Sequence, residues 1–181
     1  IYINASIYSA LVAWLLKKPH IALEDTFNME QVKLYLPFTS CVLTGDYQHP
    51  ILGSKEIIYS GYQELLYLHP KYFKPDIEIY KYLGLLPGNP YVIMRFVAWN
   101  ASHDFGHKGI SYQSKLKAIQ EFEKFAKIFI SAESELPDGL SRYQLKLPPH
   151  KLHDALAYAT LVWAESFTIP AECSVLGVPS I

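Results

Sequence analysis

The residues with the clearest chemical reach lie near the end of the chain, in Leu161-Val162-Trp163-Ala164-Glu165-Ser166-Phe167-Thr168-Ile169-Pro170-Ala171-Glu172. An apolar strand ends there at Glu165 and Ser166, and a helix opens over 168–170. Free backbone N–H groups at a helix start, together with the helix dipole, favour an anion such as phosphate. The hydroxyls of Ser166 and Thr168 add donors, and Phe167 either closes the site or stacks on a ligand. Glu172 stands about one turn into the helix. From there a carboxylate can accept both hydroxyls of a ribose whose diphosphate rests on the helix start. The same residues also read as an ordinary cap, Ser or Thr ahead of Pro and Glu. Both readings stay open on the residues alone.

Other polar groups fall where a parallel strand ends, the edge at which such sheets bind ligands. Glu24 and Asp25 follow the strand His20–Leu23. There they suit a base toward an acceptor hydroxyl, or equally an Asx-turn or cap. The Gly-rich loop 99–109 carries His103, Asp104, His107 and Lys108, candidates for acid–base work or phosphate donors; as catalytic groups we single out His103 and Asp104. His103 and His107 are spaced for one helix face, but Gly106 and Gly109 argue against a helix and no third ligand follows. No metal and no cofactor are therefore expected. Glu133 and Glu135 follow the strand Lys127–Ala132, and Glu133 is the acid we place at the ligand. His150 and His153 open a helix and read as solvated or capping groups.

The elements that must position these groups alternate strand and helix. Strands are expected over 1–3, 20–23, 40–43, 56–59, 91–98, 127–132, 143–147, 161–164 and from 178. Helices are expected over 10–16, with Ser9 as its cap, then 29–35, 75–83, 111–125, 149–158 and 168–176. Such alternation predicts parallel, doubly wound sheets. The continuous apolar run 91–98 suits a central strand covered on both faces. Pro70, Pro75, Pro87 and Pro90 punctuate 66–90, which reads as a connection between an amino-terminal unit over 1–65 and a second over 91–181. Residues 1–3 read as a strand already under way and 178–181 as one just begun, so the chain is expected to be incomplete at both ends.

Composition narrows the function classes. Half the residues are apolar and 18% are charged, which marks a globular chain rather than a disordered one. Sixteen Lys and Arg against seventeen Asp and Glu leave no basic field for a polyanion, so nucleic acid is not an expected partner. The longest apolar stretch, 10–16, falls far short of the ~20 residues that span a bilayer. Cys41 and Cys173 lie far apart in apolar surroundings, as thiols do in a reducing compartment. These features together predict a cytoplasmic protein.

The strand, the Ser166-to-Thr168 turn, Glu172 and the exit Leu176-Gly177-Val178-Pro179 resemble the nucleotide-sugar signature of the glycosyltransferase B-type fold. The spacing of Ser166 and Glu172 is similar to that in non-hydrolysing UDP-sugar 2-epimerases. Asp104-Phe105-Gly106 resembles part of an epimerase loop whose Arg has no counterpart here, and Phe167 and Thr168 stand where epimerases often carry glycines. Over nearly its whole length the chain resembles an archaeal and bacterial group, domain-of-unknown-function family 354. Lys18-Pro19, Glu24-Asp25-Thr26, Leu36-Pro37-Phe38, Tyr67-Leu68-His69-Pro70, Arg95-Phe96-Val97-Ala98-Trp99, Ala101-Ser102-His103-Asp104 and Glu135-Leu136-Pro137 carry that resemblance. It implies two Rossmann-like domains with a cleft between them. It also implies a nucleoside diphosphate sugar held by Ser166, Phe167, Thr168, Glu172 and Glu133. Glu24, Asp25, His103 and Asp104 would then serve transfer to an acceptor that the sequence does not name. A 2-epimerase-like enzyme, and a binding or regulatory protein without turnover, are the alternatives.

Overall fold

A computed structural model describes residues 1–3, 5–47, 49–97 and 109–181. The chain forms two compact units, Ile1–Leu66 and Tyr67–Ile181. Each is built on its own sheet of parallel strands, as expected of an α/β protein with two Rossmann-like domains.

In the first unit β1 (Tyr2–Ile3), β2 (His20–Leu23), β3 (Cys41–Gly45) and β4 (Glu56–Tyr59) lie side by side in that order. Helix α1 (Ile7–Leu15) returns the chain from β1 to β2, and α2 (Met29–Tyr35) from β2 to β3. Only Ala10 and Ala13 of α1 are buried, so small side chains let the helix lie close to the sheet. The helix begins after Ser6 rather than Ser9. Ser9 is instead spent inside, donating to the Ser6 carbonyl and meeting His20 Nε2 at 3.0 Å. His20 is wholly buried, and its Nδ1 lies 3.0 Å from Thr39 Oγ1. One imidazole thus ties α1, β2 and the entry to β3 together. The end of α1 is a Schellman turn built without glycine: Lys18 N–H reaches Ala13 O, Lys17 N–H reaches Trp14 O, and Lys17 takes φ 51°. At the far end of β3 glycine is required. A Cβ on Gly45 would stand 2.3 Å from the Tyr47 ring and 2.6 Å from the Gly61 carbonyl.

In the second unit β5 (Tyr91–Phe96) runs between β6 (Lys127–Ala132) and β7 (Leu161–Ala164). Its side chains alternate between two cores, as a pleated strand demands. Tyr91 and Ile93 pack with Ala155, Leu156, Val162, Ile169 and Cys173. Val92, Met94 and Phe96 pack with Ile119, Ile128, Ile130 and Leu140 on the other face. The covering helices are α5 (Tyr112–Phe122) on the second face and α6 (Leu152–Ala157) with α7 (Thr168–Leu176) on the first. The Tyr91 hydroxyl adds a buried hydrogen bond to the Ala155 carbonyl at 2.7 Å, which fixes α6 on the sheet.

The segment 67–90 contributes its own part of this core. After α3 (Leu65–Leu68), the short helix α4 (Ile79–Tyr82) buries Ile79 and Tyr80. Asp154 on α6 accepts the Asp76 N–H at 2.9 Å, and Lys151 bridges Asp76 and Asp154 at 3.0 and 3.2 Å. The Glu78 N–H and Lys151 hold the Asp76 carboxyl below the usual carboxylate range.

Several elements differ from expectation. The helix expected over 75–83 keeps only Ile79–Tyr82. The strand expected over 143–147 is a 3-10 turn, Asp138–Tyr143, followed by a single parallel bridge between Gln144 and Ile130. Tyr143 is buried against the second core of the sheet, and its hydroxyl donates to Glu123 at 2.7 Å. The helix expected over 149–158 begins as a 3-10 turn, Pro149–Lys151, and is α-helical only over Leu152–Ala157. The strand expected from 178 is one bridge, Ser180 to Val162. No helix among the described residues is long and apolar enough to cross a membrane.

The two thiols sit in different surroundings. Cys173 is wholly buried, and burial, with Glu172 adjacent, pushes its thiol up to about 12; Cys41 is only half-buried. A thiol reagent at pH 8 is expected to label Cys41 on the folded protein and Cys173 only once denaturant unfolds it. Equal labelling rates would contradict this packing. The raised value also favours the fold below pH 9, the value of a free thiol, and this contribution fades as pH rises toward about 12.

Candidate functional site

Parallel pairing brings the ends of β5, β6 and β7 to one edge, where Phe96 pairs with Ala132 and Arg95 with Ala164. At this edge β7 gives way to Glu165, Ser166 and Phe167, and α7 begins. Phe167 occupies the N-cap position in a helical conformation, and no side chain caps the helix. Ser166 and Thr168 therefore do not serve as caps, and Pro170 has no N–H to give. The donors left at this end are the amides of Thr168 and Ile169. Ser166 is half-buried, Thr168 is exposed, and Phe167 is 85% exposed.

Glu172 is buried along the face of α7 that also buries Ile169 and Cys173. Its Oε1 accepts from the Tyr67 hydroxyl at 3.0 Å and faces His153 Nε2 at 3.1 Å. Tyr67 and Phe73 flank the His153 ring, with centroids 5.5 and 6.1 Å away. Glu172 Oε2 is buried and has no hydrogen-bond partner. A buried acceptor without a partner costs on the order of 1–3 kcal/mol, and none of the other carboxylates described below carries one.

Glu165, which sequence reasoning passed over, is the most enclosed acid of this edge, its side chain 1% exposed. Oε2 accepts from Val97 N–H at 3.0 Å and Oε1 from Ile110 N–H at 2.6 Å. Lys115 pairs with it at 3.0 Å and lies 4.2 Å from the centre of the Phe96 ring. One carboxylate thus holds the chain on either side of 98–108. The available signal was a charged residue placed directly after a buried apolar strand. Beside it, Phe96, Val97, Tyr112, Lys115, Ser134 and Glu135 contribute to the lining of a pocket of about 240 Å³.

The remaining sequence candidates divide by location. Glu133 follows β6 and pairs with Arg95 at 2.8 Å, while Arg95 also reaches Ser131 Oγ at 2.8 Å. Glu24 is buried in the first unit. Its Oε1 accepts from the Thr26 and Phe27 N–H groups at 3.1 and 2.8 Å, and its Oε2 from the Tyr35 hydroxyl. Burial and this bond push the Tyr35 hydroxyl well above its ordinary range. Both Glu24 oxygens are engaged, whereas Asp25 is exposed and accepts from Thr26 Oγ1 at 2.9 Å. Near Asp25 sit Phe27, stacked on His49 at 4.4 Å, and Tyr47, stacked on Tyr62 at 5.9 Å. Burial, then Asp25, pushes the Tyr47 hydroxyl up to about 12. His103, Asp104, His107 and Lys108 lie outside the described residues. Among the described residues no group of three or more His, Cys, Asp and Glu could hold a metal ion.

No protein-family model matches the chain, and no curated protein sequence matches it. In fold it is similar to a crystal structure from Listeria monocytogenes described as a "putative UDP-N-acetylglucosamine 2-epimerase". The TM-score is 0.59 at 12% sequence identity, and the likeness covers 99% of this chain and 55% of that one. The chain thus spans about half the length of that structure.

Glu165 carries the first expectation from this edge. Glu165→Ala strands the Lys115 ammonium and two backbone donors in a covered position. The loss is expected to be about 3–5 kcal/mol in urea unfolding, the cost of breaking a buried pair from one side. Glu165→Gln, which still accepts one bond, is expected to lose less. Equal, small losses in both variants would show that the clasp contributes nothing.

Proposed function

We propose that the second unit binds a nucleoside diphosphate sugar at the start of α7, and that the protein is a nucleotide-sugar-dependent glycosyltransferase. The observation that carries this reading is Glu172, a buried carboxylate with one unpartnered oxygen, one turn into a helix whose first amides meet no cap. The diphosphate would rest on the Thr168 and Ile169 amides with the Ser166 and Thr168 hydroxyls alongside. Glu172 would accept from the ribose, and the exposed face of Phe167 would stack on the ligand. Glu133, neutralised by Arg95, would orient sugar hydroxyls.

In such a transfer a base takes the proton of an acceptor hydroxyl. The freed oxygen then attacks the anomeric carbon, and the nucleoside diphosphate leaves with the bonding pair. Asp25 suits the base better than Glu24, because Glu24 already spends both oxygens on its own turn and on Tyr35. His103 and Asp104 complete the proposed acid–base set.

The fold likeness supports a second reading, a nucleotide-sugar 2-epimerase-like enzyme. The two share the nucleotide site and differ in whether an acceptor is consumed.

Calorimetric titration with UDP, GDP, CDP and dTDP tests the common step. One nucleotide is expected to bind in the micromolar range, and Glu172→Ala to lose about 1–3 kcal/mol of that affinity. If none of the four binds, the helix start is only a helix start and both readings fall.

A further inference from the structure

Glu172 does not present a free carboxylate. Its Oε1 is taken twice, by the Tyr67 hydroxyl at 3.0 Å and by His153 Nε2 at 3.1 Å, while Oε2 has no partner. Two donors on one oxygen fix the plane of the carboxylate, since rotation would break both bonds at once. The donors are themselves held. His153 is the second residue of α6 and packs against the Tyr67 and Phe73 rings. The neighbouring Asp154 and Lys151 bind Asp76, which secures the 67–90 segment against the same helix.

A ribose offers two adjacent hydroxyls, and a carboxylate free at both oxygens takes one on each. Glu172 has no second oxygen to give. From this we infer that Tyr67 and His153 are positioning residues that make the site read one ribose hydroxyl rather than both. The inference rests on the nucleotide reading above and adds to it a specificity and two residues. Oε2 is covered, so a hydroxyl reaches it only when a neighbouring side chain turns aside.

The alternative is that Tyr67 and His153 merely stabilise α6 against α7, with Glu172 as their acceptor. Burial alone fits that account for Oε1. It leaves the unpartnered Oε2 without a purpose, whereas a positioned acceptor needs one unspent oxygen.

The test compares UDP, GDP and CDP with their 2′-deoxy and 3′-deoxy forms, by calorimetry on the unaltered protein, on the double variant Tyr67→Phe/His153→Ala and on His153→Gln. For the nucleotide that binds, removing one of the two hydroxyls is expected to cost roughly 10-fold or more, and removing the other less than about threefold. In the double variant Tyr67→Phe/His153→Ala the carboxylate regains its second oxygen and its freedom to rotate. The ratio between the two deoxy forms should then collapse toward one. His153→Gln, which keeps a donor for Oε1, should retain most of the ratio. A variant that only loosened the fold would weaken all three ligands alike and leave the ratio intact.

Equal losses from both deoxy forms on the unaltered protein would overturn the inference, and so would an unchanged ratio in the double variant Tyr67→Phe/His153→Ala. In either case the nucleotide site itself would stand. If none of the three nucleotides nor dTDP binds the unaltered protein, the proposed function fails first and takes the inference with it.

Discussion

The second unit depends on β5 being paired in parallel on both sides. A strand buried on both faces must send alternate side chains into separate cores, as Tyr91 and Ile93 do on one side and Val92, Met94 and Phe96 on the other. Fully burying each such side chain is worth about 1.5–3 kcal/mol, so a one-residue slip would reverse every assignment. The fixed register has a consequence for chemistry. It delivers the ends of β5, β6 and β7 to a single edge, where Val97, Glu133 and Glu165 follow their strands. Arg95 shows how tightly the register is used, reaching Ser131 and Glu133 on the neighbouring strand and its exit.

Buried acids separate into two kinds by whether their oxygens are spent. Glu24 gives both to its own turn and to Tyr35. Glu56 gives one to Thr44 Oγ1 and the other to the Leu52 N–H. Glu165 takes two backbone donors and an ammonium. Each of these offsets its desolvation locally, and each holds a turn or loop in place. Glu172 is equally buried, yet it stops halfway, with Oε1 doubly bonded and Oε2 bare. All four are desolvated, so the unspent oxygen is the feature that sets Glu172 apart from the three acids that hold turns and loops.

The strands and helices were largely legible from periodicity, because apolar runs such as 91–96 and 161–164 carry their own signal. The misses came where side-chain bonds override local preference. Ser9 reads as a cap in one dimension, but His20 claims it and the helix starts earlier. The stretch after 142 alternates like a strand, but Tyr143 is tied to Glu123 and the chain reaches the sheet for one bridge only. Within the candidate site, Ser166, Thr168 and Glu172 stood out because their spacing follows from a strand-to-helix turn. Tyr67 and His153 were not, since they meet Glu172 from 105 and 19 residues away along the chain. No local pattern encodes such a meeting. Glu165 was hidden for a related reason, as its partners are mostly backbone amides that any sequence would supply.

Phe167 and Pro170 bear on how a phosphate would sit. A glycine-rich turn lets the backbone close on a diphosphate, and neither residue permits that to the same degree. Phe167 keeps a helical conformation and exposes 85% of its surface, and Pro170 removes one amide from the first turn. The helix start therefore offers fewer donors than a glycine-rich one, and more of the holding must come from elsewhere. The hydroxyls of Ser166 and Thr168 would supply part of it, and the Phe167 ring would gain by covering its apolar face with a flat ligand group. A nucleotide site built this way would lean on the ribose and the ring more than on the phosphates. That shift would place weight on how firmly Glu172 is held, and hence on the two side chains that bond its Oε1.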